Sequence, residues 1–410
     1  MDSPDLEQQC ERYARLKLWL SALEYLLLMG TLASLTLTGT ADRWFRALTV
    51  ALGEPLGALF VYLAGIAAAA RLAVLPVQFI SGHLVERRFG LSRQSARQWL
   101  AEWAVTSLLF GLPLVLLATP LVMHLPWWPL LLLPAVAGLL ALRLIYYEWL
   151  FLPVLSLFSP VRYLRTECLH LPGLGRRMLP VYEVRVSHKT RRANAGILLG
   201  RQPRVLVTDT LIDAFTDAEE RVAIAHEFGH LYDHLFLEAR TAFGLAQAKR
   251  KLLWNGGAWL IAALLTFALD GWMTPALHLP RVGDPAAVPL LAAIFLLFAP
   301  AVLPLANAEA RIDEQEADEY ALKITHDAAS YLSLMEKLRR LNLEERRPGF
   351  ISRLFFDTHP SYLERLRLGR AFRERGKTIL SRRWPHPNRR HSPHRHHMHG
   401  PAPPHRKGER

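Results

Sequence analysis

The chain has 410 residues, 51% hydrophobic and 21% charged, with a net charge of +13 and two cysteines, Cys10 and Cys168. Two cysteines exclude both a disulfide scaffold and a cysteine-based zinc site. Apolar content this high beside dense charge excludes an evenly mixed globule and points to separate apolar and charged blocks, while the basic excess leaves nucleic acid or the anionic face of a membrane as partners.

The first seventeen residues, MDSPDLEQQCERYARLK, are polar and charged. They lack the short basic start and small-residue cleavage site of a signal peptide, so the N-terminus is expected to be retained. Six apolar runs follow, at 18–38, 55–80, 104–123, 127–152, 252–269 and 286–308. Each is close to the roughly 20 residues that cross a bilayer. The first carries Glu24, and the second Arg71 and Pro76; the fourth opens on Trp127-Trp128 and ends in Tyr146, Tyr147 and Trp149, residues suited to a membrane interface. Arg71 reads as snorkelling or paired rather than catalytic.

Six spans put residues 1–17, 81–103, 153–251 and the C-terminal region on one side. That side carries most of the Lys and Arg, whereas 39–54, 124–126 and 271–285 carry only Arg43, Arg46 and Arg281. The basic side is therefore expected to face the cytoplasm. This accounts for most of the positive charge without nucleic acid.

Between the fourth and fifth spans the pattern changes. Residues 181–186 (VYEVRV) and 204–208 (RVLVT) read as strands. Thr216 and Glu219 form a capping-box signature, which opens a helix over about 217–240. After the sixth span, 309–340 reads as a charged amphipathic helix, and from 376 the chain becomes an Arg-, Pro- and His-rich tail expected to be disordered.

The capped helix contains Ala225-His226-Glu227-Phe228-Gly229-His230, an H-E-x-x-H pattern. Four residues apart on a helix, His226 and His230 project from one face and can share a zinc ion. Zinc acidifies water, and Glu227, beside the first histidine, can take that proton and hand it to a leaving amine. Position 236 is Phe, which excludes the third histidine of a metzincin, and His234 on the same straight helix would reach past the metal. A carboxylate from a second helix remains, and spacing alone leaves Glu309, Asp313, Glu314, Glu316 and Glu319 open. One hint is that Glu314 and Asp318 are four apart, so one can bind metal while the other orients a ligand histidine. Ligands on either side of the 252–308 hairpin would meet at the cytoplasmic membrane surface, around a hydrated chamber between the helices.

HEFGH followed by N-A-E-A-R-I-D-E-Q-E-A-D, residues 307–318, resembles the type I CAAX prenyl endopeptidases, multi-span membrane zinc proteases. The resemblance implies Glu314 as third ligand and Asp318 as the acid behind the ligands, with Asn307 and Arg311 in support. Ala310 stands where relatives have Ser. The stretch 86–95 (ERRFGLSRQS) is similar to the family's early cytoplasmic loop, and Asn194-Ala195 resembles its substrate-binding edge strand. Thr358-His359-Pro360, with Glu364-Arg365-Leu366, looks like its late His-Pro motif, which implies that His359 helps hold the tetrahedral intermediate and that Arg365 stabilises it.

The expected fold is thus mainly α. It is a polytopic membrane helical bundle of six spans (seven in eukaryotic relatives) enclosing a chamber, with a small α+β zincin-like protease domain on the cytoplasmic side. The expected divisions are a four-span membrane domain at 1–158, a protease segment at 159–251, a two-span hairpin at 252–308, a second protease segment at 309–375 and a tail at 376–410. The expected function is zinc-dependent peptide hydrolysis, one Zn2+ per chain, in a bacterial inner membrane. Expected partners are a peptide or membrane-protein substrate, lipidated or not, and membrane lipids, but no nucleic acid. The rival readings are an HtpX-type quality-control protease and a non-catalytic metal-binding scaffold.

Overall fold

The computed structural model describes residues 4–123, 151–171, 175–198, 203–234, 257–280 and 284–379. Five of the helices in it are long and apolar enough to cross a membrane. Helix α1, Pro4–Leu37, runs from the charged start straight through the first apolar run. Helix α3, Pro55–Phe79, opens on a Glu54 cap that accepts from the amides of Leu56 and Gly57, with Pro55 at its first position. Pro76 cannot donate a backbone hydrogen bond, and one turn later the helix widens into a π-helical stretch, Ile80–Val85. Helix α4, Ala96–Met123, carries the third run. The fourth run, 127–152, falls almost wholly outside the described residues.

Between α1 and α3, 39–54 is not a plain loop. It holds α2, Thr40–Leu52, whose Trp44 and Phe45 stand edge-on to Tyr62. Its apolar stripe is too short for a span, so hydropathy alone misses it. Glu24 and Arg71, inside the first two apolar runs, find partners. Glu24 accepts from Gln78, which accepts from Trp103. Arg71 donates to Ser107 and lies 5.2 Å from the centre of the Trp103 ring, a cation–π contact rather than the carboxylate pair the sequence invites.

After α5, Phe151–Phe158, the chain builds a four-stranded sheet in the order β1-β2-β4-β3. Strands β1, Val161–Leu171, and β2, Gly175–Val184, are antiparallel. Strand β4, Arg204–Thr208, lies parallel to β2, and β3, Ala195–Leu198, pairs antiparallel to β4 and forms an edge. Val205 and Val207 alternate inward and are fully buried. They cover α7, Asp217–His234, through Ile224 and Phe228. A short helix, α6, Asp209–Ala214, leads into it. The capping box forms: the Thr216 amide donates to Glu219 at 2.8 Å and the Glu219 amide to Thr216 Oγ1 at 3.4 Å.

Helix α8, Gly257–Leu277, carries the fifth span and continues past residue 269, where the apolar run is expected to end. The sixth span and the acidic stretch after it form one 38-residue helix, α9, Val288–Thr325, so the division drawn at 308 falls inside continuous helix. Its C-terminal half packs on α7 and on α10, Ala328–Asn342. A short α11, Phe350–Phe355, and α12, Tyr362–Ile379, complete the described chain.

Candidate metal centre

Helix geometry brings His226 and His230 to one face of α7, with their Nε2 atoms 3.2 Å apart. The third corner comes from α9. Glu314 Oε2 lies 3.3 Å from His226 Nε2, and Oε1 lies 3.5 Å from His230 Nε2. Among the described residues these three form the group able to hold a metal ion. Tetrahedral ligands about 2.0–2.1 Å from zinc must stand about 3.3–3.4 Å from one another. The separations, one from each carboxylate oxygen and one between the imidazoles, lie near that value, and two imidazoles with one carboxylate leave a fourth position open. Of the five candidate acids, it is Glu314 that tertiary packing brings to the histidines.

Two helices come this close because Gly229 has no side chain. A Cβ built there would lie 2.7 Å from the Ala317 Cα and 3.0 Å from its Cβ. One turn beyond Glu314, Asp318 is fully buried, and its Oδ1 lies 3.0 Å from His226 Nδ1, short but off the hydrogen-bond axis. Arg365 grips the same carboxylate with a fork, Nε to Oδ2 at 2.7 Å and Nη2 to Oδ1 at 3.1 Å, and its Nη2 lies 3.4 Å from Glu314. The anionic excess shows in the titration of the site. Burial drives the His226 ring toward its neutral form, yet Asp318 and Glu314 outweigh it and raise its pKa to about 10. Such a pocket calls for a cation, which supports the fit of a metal to these donors.

Glu227 is buried beside the cluster. Burial raises its carboxyl to about 7, with the charges of His226 and Arg365 opposing the rise. The backbone amide of Ile197 on the edge strand also opposes the rise. Motif reading alone gives no sign of this contact. A cleft of about 430 Å³ runs from Asn194, Ala195 and Ile197 past the histidines and Glu227 to His359 and Arg365. His359 is 61% exposed at its rim, with Nε2 3.3 Å from Glu314 Oε1. Sequence reasoning also missed the apolar floor supplied by Leu334, Met335 and Leu338 of α10. Their helical spacing was the available signal.

Asn307 and Arg311 act on the His359 segment, not on the ligands. Asn307 donates to the Leu354 carbonyl at 3.1 Å, and Arg311 donates to those of Arg353 and Asp357 at 2.8 and 2.7 Å. They fasten the stretch that carries His359 to the helix that carries Glu314.

A model of peptidase family M48 matches residues 163–371, half of the chain. The uncharacterized metalloprotease YhfN of Bacillus subtilis (strain 168) is 28% identical over 311 residues, which covers 72% of this chain and 69% of that protein. The crystal structure of S. mikatae Ste24p shares the fold, with a TM-score of 0.67 at 16% identity over 89% of each chain. The family match takes in both ligand-bearing helices and the His359 segment, so the chain belongs to peptidase family M48 and is a membrane-embedded metalloendopeptidase.

Proposed function

We propose that the metal is one zinc ion per chain, held by His226, His230 and Glu314, and that Glu227 is the base of peptide hydrolysis. The observation that carries this is the convergence of the two Nε2 atoms, 3.2 Å apart, on the Glu314 carboxylate, whose two oxygens lie 3.3 and 3.5 Å from them, with the buried Glu227 carboxyl beside them on the same helix. When bound, zinc would polarise the scissile carbonyl and acidify the attacking water. Glu227 takes the proton from that water and returns it to the leaving amine. A carboxyl raised to about 7 suits both transfers near neutral pH.

The substrate peptide lies along β3. Arg365 is a positioning residue: it fixes Asp318, which faces the back of the His226 ring. His359, exposed at the cleft rim, donates to the carbonyl oxygen as charge develops on it. The site faces the cytoplasm of a bacterial inner membrane, and its substrates are peptides or membrane proteins, lipidated or not. The CAAX-type plan is favoured over the shorter HtpX-type plan because the likeness to Ste24p extends over 89% of the chain, early spans included.

Glu227→Gln is the direct test. Elemental analysis is expected to find wild-type metal content, while cleavage of a fluorogenic peptide falls by roughly 10²–10⁴-fold. Unchanged cleavage would overturn the role of Glu227. A metal-free wild-type protein that still cleaves would overturn the whole reading.

A further inference from the structure

A second cleft, about 580 Å³, opens where the charged start of α1 passes the turn after α3. Arg12, Arg15 and Trp19 line it from α1, and Arg88 and Phe89 from the turn; Asp5 is its single acid. Its depth follows from helix register. The Tyr25 hydroxyl donates to the Leu296 carbonyl, and Thr36 Oγ1 to that of Ala286 at 3.2 Å. Helices α1 and α9 are therefore antiparallel, and Leu16 comes level with Leu305, near the cytosolic end of the apolar run. Arg12 lies four residues further out, about 6 Å at the helical rise. The apolar core of a bilayer is about 30 Å thick in a total of about 40–45 Å, so Arg12 sits at headgroup depth. Trp19, 69% exposed, lies on the apolar side, where interfacial tryptophans sit.

The neighbouring polar groups are already committed. Tyr13, Lys17 and Arg192 all converge on Glu86. Arg12 and Arg88, in contrast, make no hydrogen bond or ion pair among the described residues, and Arg15 faces only the more distant charge of Glu345. Three guanidiniums against one carboxylate leave the cleft cationic, and guanidinium forks match phosphate oxygens.

We propose that this cleft binds the headgroup of an anionic phospholipid from the cytosolic leaflet. The phosphate sits among Arg12, Arg15 and Arg88, and the start of an acyl chain runs over Trp19. Continuity from arginines to an exposed tryptophan at the membrane boundary favours a lipid over a free anion. The proposal stands apart from the metal site and from the assignment of its residues.

The test uses full-length protein in nanodiscs of phosphatidylcholine with and without phosphatidylglycerol, read by native mass spectrometry and thermal melting. Phosphatidylglycerol is expected to be retained and to raise Tm. Each of Arg12→Gln, Arg15→Gln and Arg88→Gln is expected to weaken retention about fivefold, with peptide cleavage unchanged, and the triple variant to abolish it. The single variants carry the test if the triple one does not fold. Equal retention by wild type and all single variants would overturn the proposal. So would inorganic phosphate reproducing the full melting shift in phosphatidylcholine alone.

Discussion

At Gly229, between the two ligand histidines, a single hydrogen in place of a methyl group lets α7 and α9 approach until the Ala317 backbone touches the turn. The separation of His226 and His230 from Glu314 depends on that approach. Gly229→Ala would force the helices apart in a core where overpacking costs about 1–3 kcal/mol. The expected result is a lower Tm together with faster metal loss to a chelator, because the third ligand recedes from the other two. Metal retention equal to wild type would show that the crossing can relax. At this scale the motif residues were legible in the sequence, since i and i+4 on a helix is a local geometry. The closeness of Ala317 was not, since it belongs to a residue far along the chain.

The element proposed to hold the substrate is β3. The Asn194 amide donates to Thr208 Oγ1 and its carbonyl accepts from the Thr208 amide, so its backbone turns toward β4. Strand alternation then turns the Ala195 and Ile197 backbone outward, into the cleft that Glu227 also lines. The open edge of the sheet thus lies in the cleft lined by Glu227, an arrangement suited to adding a peptide as a further strand. Ala195→Pro would delete an outward amide while leaving the β3–β4 pairing intact. One lost hydrogen bond is worth about 0.5–1.5 kcal/mol. The expected result is a KM raised by roughly 2–10-fold with kcat little changed, measured on a soluble peptide. A fall in kcat alone would remove β3 from substrate binding. The strand 204–208 was legible from its alternation, but β3 is four residues long and is defined only by the partner that it meets.

For the molecule as a whole, orientation follows from charge. By the proposed reading, the dense basic segments share the side of the sheet and the metal centre. Cys168 on β1 is exposed and Cys10 is buried, so the chain carries its own reporter. A membrane-impermeant maleimide is expected to label Cys168 in inside-out membrane vesicles and not in intact spheroplasts. The opposite pattern would reverse the topology and with it the side on which substrates are cut. The apolar runs, the capping box and the two histidines were determined by the sequence itself, because each rests on neighbours within one or two turns or on the plain length of an apolar stretch. The choice of Glu314 among five acids, the two anchors that hold the His359 segment and the edge strand against Glu227 were decided by tertiary structure. Each joins residues from different elements of the chain, and only packing brings such groups within a few ångströms.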